Sequence, residues 1–96
     1  MGCKIIFSPQ AIADLKAAVH FIAADNPEAA GRMGNTLIDR VTILKNFPLV
    51  GSLYRKRPEV RKLASRPYLV FYRFRETENV VEILRYWHGS QSEPGL

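Results

Sequence analysis

Residues 61–74 read RKLASRPYLVFYRF, and the periodicity inside this stretch decides the fold. From Tyr68 to Arg75 side chains alternate as on a strand, with Leu69 and Phe71 on one face and Val70, Tyr72 and Phe74 on the other. Pro67 separates this strand from a shorter one expected over Val60 to Leu63. After the polar turn Glu76 to Asn79, Val80 to Trp87 predicts a third strand. Val81, Ile83 and Trp87 are expected to share one of its faces, Glu82 and Leu84 the other. Connections this short make sequential strands antiparallel neighbours.

Upstream, the period changes from two to about 3.6. KIIF, Lys4 to Phe7, predicts a short strand that stops at Ser8-Pro9. The same two residues open a helix: Ser8 can accept from the free amides of the first turn, and Pro9 suits the first helical position. Ile12, Leu15, Val19 and Ile22 then line one helical face, while Asp14, Lys16 and His20 fall on or near the opposite side. Asn26 and Pro27 repeat the start signal, with Glu28 in the first turn. Ala30, Met33, Leu37, Val41 and Leu44 form the second stripe, widened by Ile38, and the helix is expected to end near Asn46 and Phe47. Two amphipathic helices joined by so short a turn form an antiparallel hairpin. The fold expected is α+β: an N-terminal strand, then a helical hairpin packed on one face of a small twisted, mainly antiparallel sheet (β-α-α-β-β-β).

A chain of 96 residues suits one domain with one core. The polar end GSQSEPGL is expected to fray, with residues 90–96 as a flexible tail. The lone Cys3 excludes an internal disulfide and a cysteine-based metal cluster. No run approaches the ~20 apolar residues of a membrane-spanning helix, and the start MGCKIIFSPQ lacks the apolar core of a secretory signal. A soluble, cytoplasmic protein is expected.

The net charge of +5 is concentrated. Residues 54–75 carry Arg55, Lys56, Arg57, Arg61, Lys62, Arg66, Arg73 and Arg75 against Glu59 alone; the rest of the chain is slightly acidic. Such a segment suits an acidic partner or simply a solvated face. There is no Gly-rich phosphate loop and no HExxH, and the two histidines, His20 and His88, lie far apart. No metal or cofactor is expected. Metal-free RNA cleavage needs a base, an acid and cations around a phosphorane. Lys62, Arg66, Arg73, Arg85, Tyr68, Tyr86 and His88 have suitable chemistry, but Arg85 and His88 equally suit structural bonds at a sheet edge. A nucleic-acid-binding module would use the same cations with stacking aromatics, although Tyr72 and Phe74 suit a core. A protein-binding domain with a disordered acidic partner is the third class.

The segments PQAIADLKAAVHFIAADNPEAA, LKNFPLVG, VRKLASRPYLVFYRF and VVEILRYWHG, in this order and spacing, resemble the ParE/RelE toxin superfamily of toxin–antitoxin modules, also called plasmid stabilisation proteins. The likeness spans Ile5 to Gly89 and is greatest to the ParE branch. It implies the fold above, a bacterial toxin of a type II module, and a cognate antitoxin whose C-terminal segment wraps the toxin. Operator DNA would be reached only through that antitoxin. RelE-like members cleave mRNA on the ribosome with Lys and Arg residues of the sheet and a Tyr near the C-terminus. Carried over, this chain keeps Lys62. Leu69 stands after Tyr68 where the ribonucleases have Arg, the Arg expected beyond the last strand falls near Ser90, and no Tyr follows. Each lost charge-stabilising group costs on the order of 10²–10³ in rate. ParE-like members instead inhibit DNA gyrase by binding and perform no chemistry.

The expectation is therefore a gyrase-binding toxin, with Arg61, Lys62, Arg66, Arg73, Arg85 and His88 as target-binding candidates. Under the ribosome-dependent alternative, Lys62, Arg61, Arg85 and His88 would be the catalytic candidates. A degenerate member that only binds antitoxin is the third reading.

Overall fold

A computed structural model describes residues 2–96. Strand β1 (Lys4–Phe7) leads into helices α1 (Pro9–Ala23) and α2 (Pro27–Arg40), and α2 tightens into a 3₁₀ segment, Val41–Lys45. Strands β2 (Ser52–Leu53), β3 (Arg61–Ser65), β4 (Tyr68–Arg75) and β5 (Val80–His88) follow. The five strands form one sheet in the order β1-β5-β4-β3-β2, in which only β1 and β5 run parallel. The α+β hairpin-on-sheet architecture is the one the sequence predicts.

Both helix starts are built as their sequences imply. The Ser8 hydroxyl accepts from the Ala11 amide at 3.0 Å, and Asn26 Oδ1 accepts from the Ala29 amide at 3.1 Å. Ser8 also donates its hydroxyl to the Leu84 carbonyl at 2.9 Å, so one cap side chain ties α1 to β5. Helix α1 is rotated from the expected setting. Ala11 and Ala18 are its buried residues and Leu15 is partly buried, whereas Ile12 is 43% exposed. Small residues at the contact allow close packing. Gly34 of α2 does the same, since a Cβ there would lie 3.1 Å from Val19 Cγ2.

The main core lies between helices and sheet, with Leu37, Val41, Leu44, Leu63, Val70, Tyr72, Val81 and Ile83 buried together. On the opposite face of the sheet, Tyr54, Val60 and Phe71 form a second cluster with Leu69, Leu84, Trp87 and Leu96 packed around it. Val60 belongs to this cluster as a buried loop residue and not to β3, which starts at Arg61 and runs to Ser65.

The expected partition of β4 is borne out, but that of β5 is not. Phe71 pairs with Arg85 and Tyr72 with Ile83, leaving Leu84 as an extra residue. This β-bulge inverts the alternation. Val81 and Ile83 face the helices, but Trp87 falls on the opposite face and Tyr86 takes its place in the main core. The bulge coincides with the end of β1, whose last register pair is Phe7 with Ile83.

The end of the chain crosses the outer face. The Trp87 indole donates to the Ser92 carbonyl at 2.6 Å, Lys56 and Glu93 form an ion pair at 3.3 Å, and Pro94 is buried.

Candidate interaction surface

The sheet distributes the basic candidates over both faces and both ends. Arg61 pairs across from Tyr72 on the helix side, and its guanidinium donates to the carbonyls of Leu49 at 3.1 Å and Gly51 at 2.8 Å. The Tyr72 hydroxyl joins the same structure, donating to the Pro48 carbonyl at 2.8 Å and accepting from the Gly51 amide at 3.0 Å. Burial raises the Tyr72 hydroxyl above its ordinary pKa, with the Gly51 bond and Arg61 partly offsetting it. Arg61 and Tyr72 thus hold the loop between the 3₁₀ segment and β2.

Arg73 meets Glu82 at 2.7 Å, and Arg75 reaches the same carboxylate at 2.9 Å and Glu78 at 3.6 Å. Burial raises the Glu82 carboxyl, but the two guanidiniums outweigh it and hold the group below its ordinary value. Arg85 binds Asp14 at 2.7 and 3.1 Å, while its guanidinium lies 4.8 Å from the centre of the Trp87 ring. Asp14 also accepts the Tyr86 amide at 3.1 Å. The sequence reading placed Asp14 on or near the solvent side of α1. Instead it covers β5 where β1 no longer pairs with it, because the rotation of α1 turns it inward.

Lys62 and Arg66 make no ion pair among the described residues. Lys62 lies on the outer face opposite Phe71, its ammonium 5.9 Å from the Tyr54 ring centre. Arg66 is exposed in the β3–β4 turn. His88 pairs across from Tyr68, their rings 5.3 Å apart edge to face, and its Nδ1 accepts from the Ser90 amide at 3.1 Å. Burial raises the Tyr68 hydroxyl. Tyr68, His88 and Ser90 border an open cleft of about 530 Å³ that continues along α1 past Phe21.

Arg66, Tyr68 and His88 border one open pocket of about 700 Å³, but Lys62 stands away from it. Lys62 sits opposite Phe71 and His88 opposite Tyr68, three residues along β4, or about 10 Å at the rise of an extended strand. Between them Leu69 and Trp87 form a cross-strand apolar pair. The arrangement can bind, using cations and apolar side chains, and it keeps Lys62 apart from the pocket that Arg66, Tyr68 and His88 share. The sequence offered no signal for Asp14 or for the loop-holding Tyr72 hydroxyl, since both act through contacts far away in the chain.

Solved structures of toxin–antitoxin systems share this fold. The chain is similar to the chromosomal ParDE toxin–antitoxin system from P. aeruginosa, at 23% identity and TM-score 0.76 over 90% of this chain and 95% of that one. It is also similar to the RelBE2 toxin–antitoxin complex from Mycobacterium tuberculosis, at 21% identity and TM-score 0.65 over 92% of this chain and 99% of that one. Among curated proteins none matches. The model of the ParE toxins of type II toxin–antitoxin systems, parDE, matches residues 5–93, and the chain belongs to that family.

Proposed function

We propose that this toxin inhibits DNA gyrase by direct binding in the cytoplasm and is neutralised by a cognate antitoxin, with no chemistry of its own. The observation that carries this reading is the state of the outer sheet face. There a ribonuclease of this fold needs converging cations, and here Leu69, Phe71 and Trp87 pack with Tyr54 and Leu96. Arg73 and Arg85 are neutralised by Glu82 and Asp14. Half-buried Lys62 and exposed Arg66, neither in an ion pair among the described residues, remain as the candidate cations best placed for an acidic target surface. Both solved relatives come from toxin–antitoxin systems, which supports an antitoxin partner.

The purified chain is tested in parallel for inhibition of gyrase supercoiling and for mRNA cleavage on ribosomes. Inhibited supercoiling that is relieved by the antitoxin is the expected result. Cleaved mRNA with untouched supercoiling would establish the ribosome-dependent alternative, and no effect in either assay a member that only binds antitoxin.

A further inference from the structure

The residues that follow β5 lie across the outer face of the sheet without joining it. Pro94 is buried, and Leu96 packs against the cluster of Tyr54, Val60 and Phe71. Trp87 donates its indole N–H to the Ser92 carbonyl at 2.6 Å, and Glu93 meets the Lys56 ammonium at 3.3 Å. Among the described residues, no main-chain hydrogen bond links residues 92–96 to a strand. The segment is thus held by an indole bond, an ion pair and two apolar side chains. The ion pair adds little, because both of its side chains are more than half exposed. A region with so few buried contacts and no ladder bonds opens at far lower cost than the strands beneath it.

The seated segment also carries a penalty. The Tyr54 hydroxyl is buried and meets no partner at hydrogen-bonding geometry among the described residues. Burial, and after it the neighbouring Glu93 carboxylate, raise this phenol above its ordinary pKa, so Glu93 lies over it. Lifting the segment returns the hydroxyl to water and removes the cost of an unpaired buried polar group.

Beneath the segment is the face on which the proposed binding depends. Tyr54, Leu69, Phe71 and Trp87 form an aromatic and aliphatic surface there, with the Lys62 ammonium 5.9 Å from the Tyr54 ring centre. The segment sets an acid, Glu93, on a cation and apolar groups, Pro94 and Leu96, on this surface. An acidic target would make contacts of the same kind, so the two compete for one place.

We infer that residues 90–96 form a strap that shields the outer sheet face until the target displaces it, holding the free toxin in a closed, weakly binding state. The inference rests on the gyrase-binding reading and adds a regulation to that same face. Only the open fraction binds, so apparent affinity falls in proportion to that fraction.

The test uses the full chain with two variants that loosen the strap by different means. Glu93→Lys sets two ammonium groups against each other, and Leu96→Asp places a charge against the apolar cluster. Trp87 is the only tryptophan in the chain, so its emission and its quenching by acrylamide report the strap directly. Both variants are expected to quench more readily, with a thermal midpoint within a few degrees of the parent, and to inhibit gyrase supercoiling at concentrations at least about threefold lower. Leu96→Asp is decisive, because an added acid that acted only through charge would weaken binding to an acidic target. Glu93→Lys combined with Lys56→Glu restores the ion pair and is expected to return quenching to the parent level. Parent-like quenching in both folded variants overturns the strap, and greater quenching without stronger inhibition overturns its shielding role. A parent and variants that all leave supercoiling untouched overturn the gyrase reading and the regulation built on it, whatever the quenching shows.

Discussion

Asp14 and Arg85 stand 71 residues apart in the chain and meet at 2.7 Å, the acid reaching down from α1 to β5 just past the bulge at Leu84. The same carboxylate takes the Tyr86 amide, so it satisfies a backbone group that β1 is too short to reach. Arg85→Ala would leave the Asp14 carboxylate, in a mostly buried setting, with only two neutral partners, the Tyr86 amide and the Gln10 side-chain amide. The expected cost is about 1–3 kcal/mol in urea unfolding. Asp14→Asn should lose a comparable amount, and the double variant less than the sum because the two act as a unit. An unchanged midpoint for Arg85→Ala would return Arg85 to the list of free binding groups.

Much of the fold was legible because its signals are local. Ser8-Pro9 and Asn26-Pro27 place both helix starts, and the alternation from Tyr68 to Arg75 orders both faces of β4 without correction. The bulge at Leu84 has no such signal. An apolar residue among apolar residues reads as regular strand, and the extra residue that sends Trp87 outward shows only in the β4–β5 register, next to the end of β1. The candidate site was legible as a set of cations but not as a set of partners. Arg61, Arg73 and Arg85 look alike in the sequence. Only tertiary placement gives them loop carbonyls, Glu82 and Asp14 respectively.

Gly51 has no room for a side chain. An added Cβ would meet the Lys62 carbonyl oxygen at 2.6 Å and the Tyr72 hydroxyl at 2.7 Å, both held in place by the sheet and the loop. Gly51→Ala is expected to destabilise by about 1–3 kcal/mol. Faster proteolysis between Phe47 and Leu53 would locate the effect in the loop. Full stability would mean that the loop can shift away from Tyr72.

Arg61 and Lys62 are neighbours with different work. Arg61 donates to two loop carbonyls, so Arg61→Ala should cost about 1–2 kcal/mol and loosen the loop. Lys62, half-buried above Tyr54 without an ion pair among the described residues, should cost no more than about 0.5 kcal/mol on truncation. If Lys62 contacts an acidic target, Lys62→Ala reduces toxicity at unchanged stability, measured as growth inhibition beside thermal unfolding. Equal losses of stability for the two variants would contradict this division.

Glu82 makes stability sensitive to acid. Arg73 and Arg75 hold its carboxyl below the ordinary 4.5 in the folded state despite burial. The stability it contributes is complete above the ordinary value and is lost as pH falls through the lower, folded one. Glu82→Gln should remove part of the pH dependence in that acid window while leaving stability near pH 7 lower than the parent's. Parallel pH profiles for parent and variant would rule Glu82 out as the responsible group.

Tyr86 does the reverse at alkaline pH. Burial pushes its hydroxyl up to about 12, and in the core it donates to the Leu37 carbonyl at 2.9 Å. The folded state therefore favours the neutral phenol. Its contribution is complete below the ordinary value of 10 and declines as pH rises from 10 towards 12. Tyr86→Phe should lower stability at neutral pH by about 1 kcal/mol, since the Leu37 carbonyl loses its donor. The same variant should unfold less steeply above pH 10, where the parent has to ionise a buried phenol. Tyrosinate absorbance followed with circular dichroism separates the two events. In the parent, a late-titrating tyrosine should ionise together with unfolding; if it ionises in the intact fold, Tyr86 is accessible to hydroxide and its burial does not control the alkaline limit.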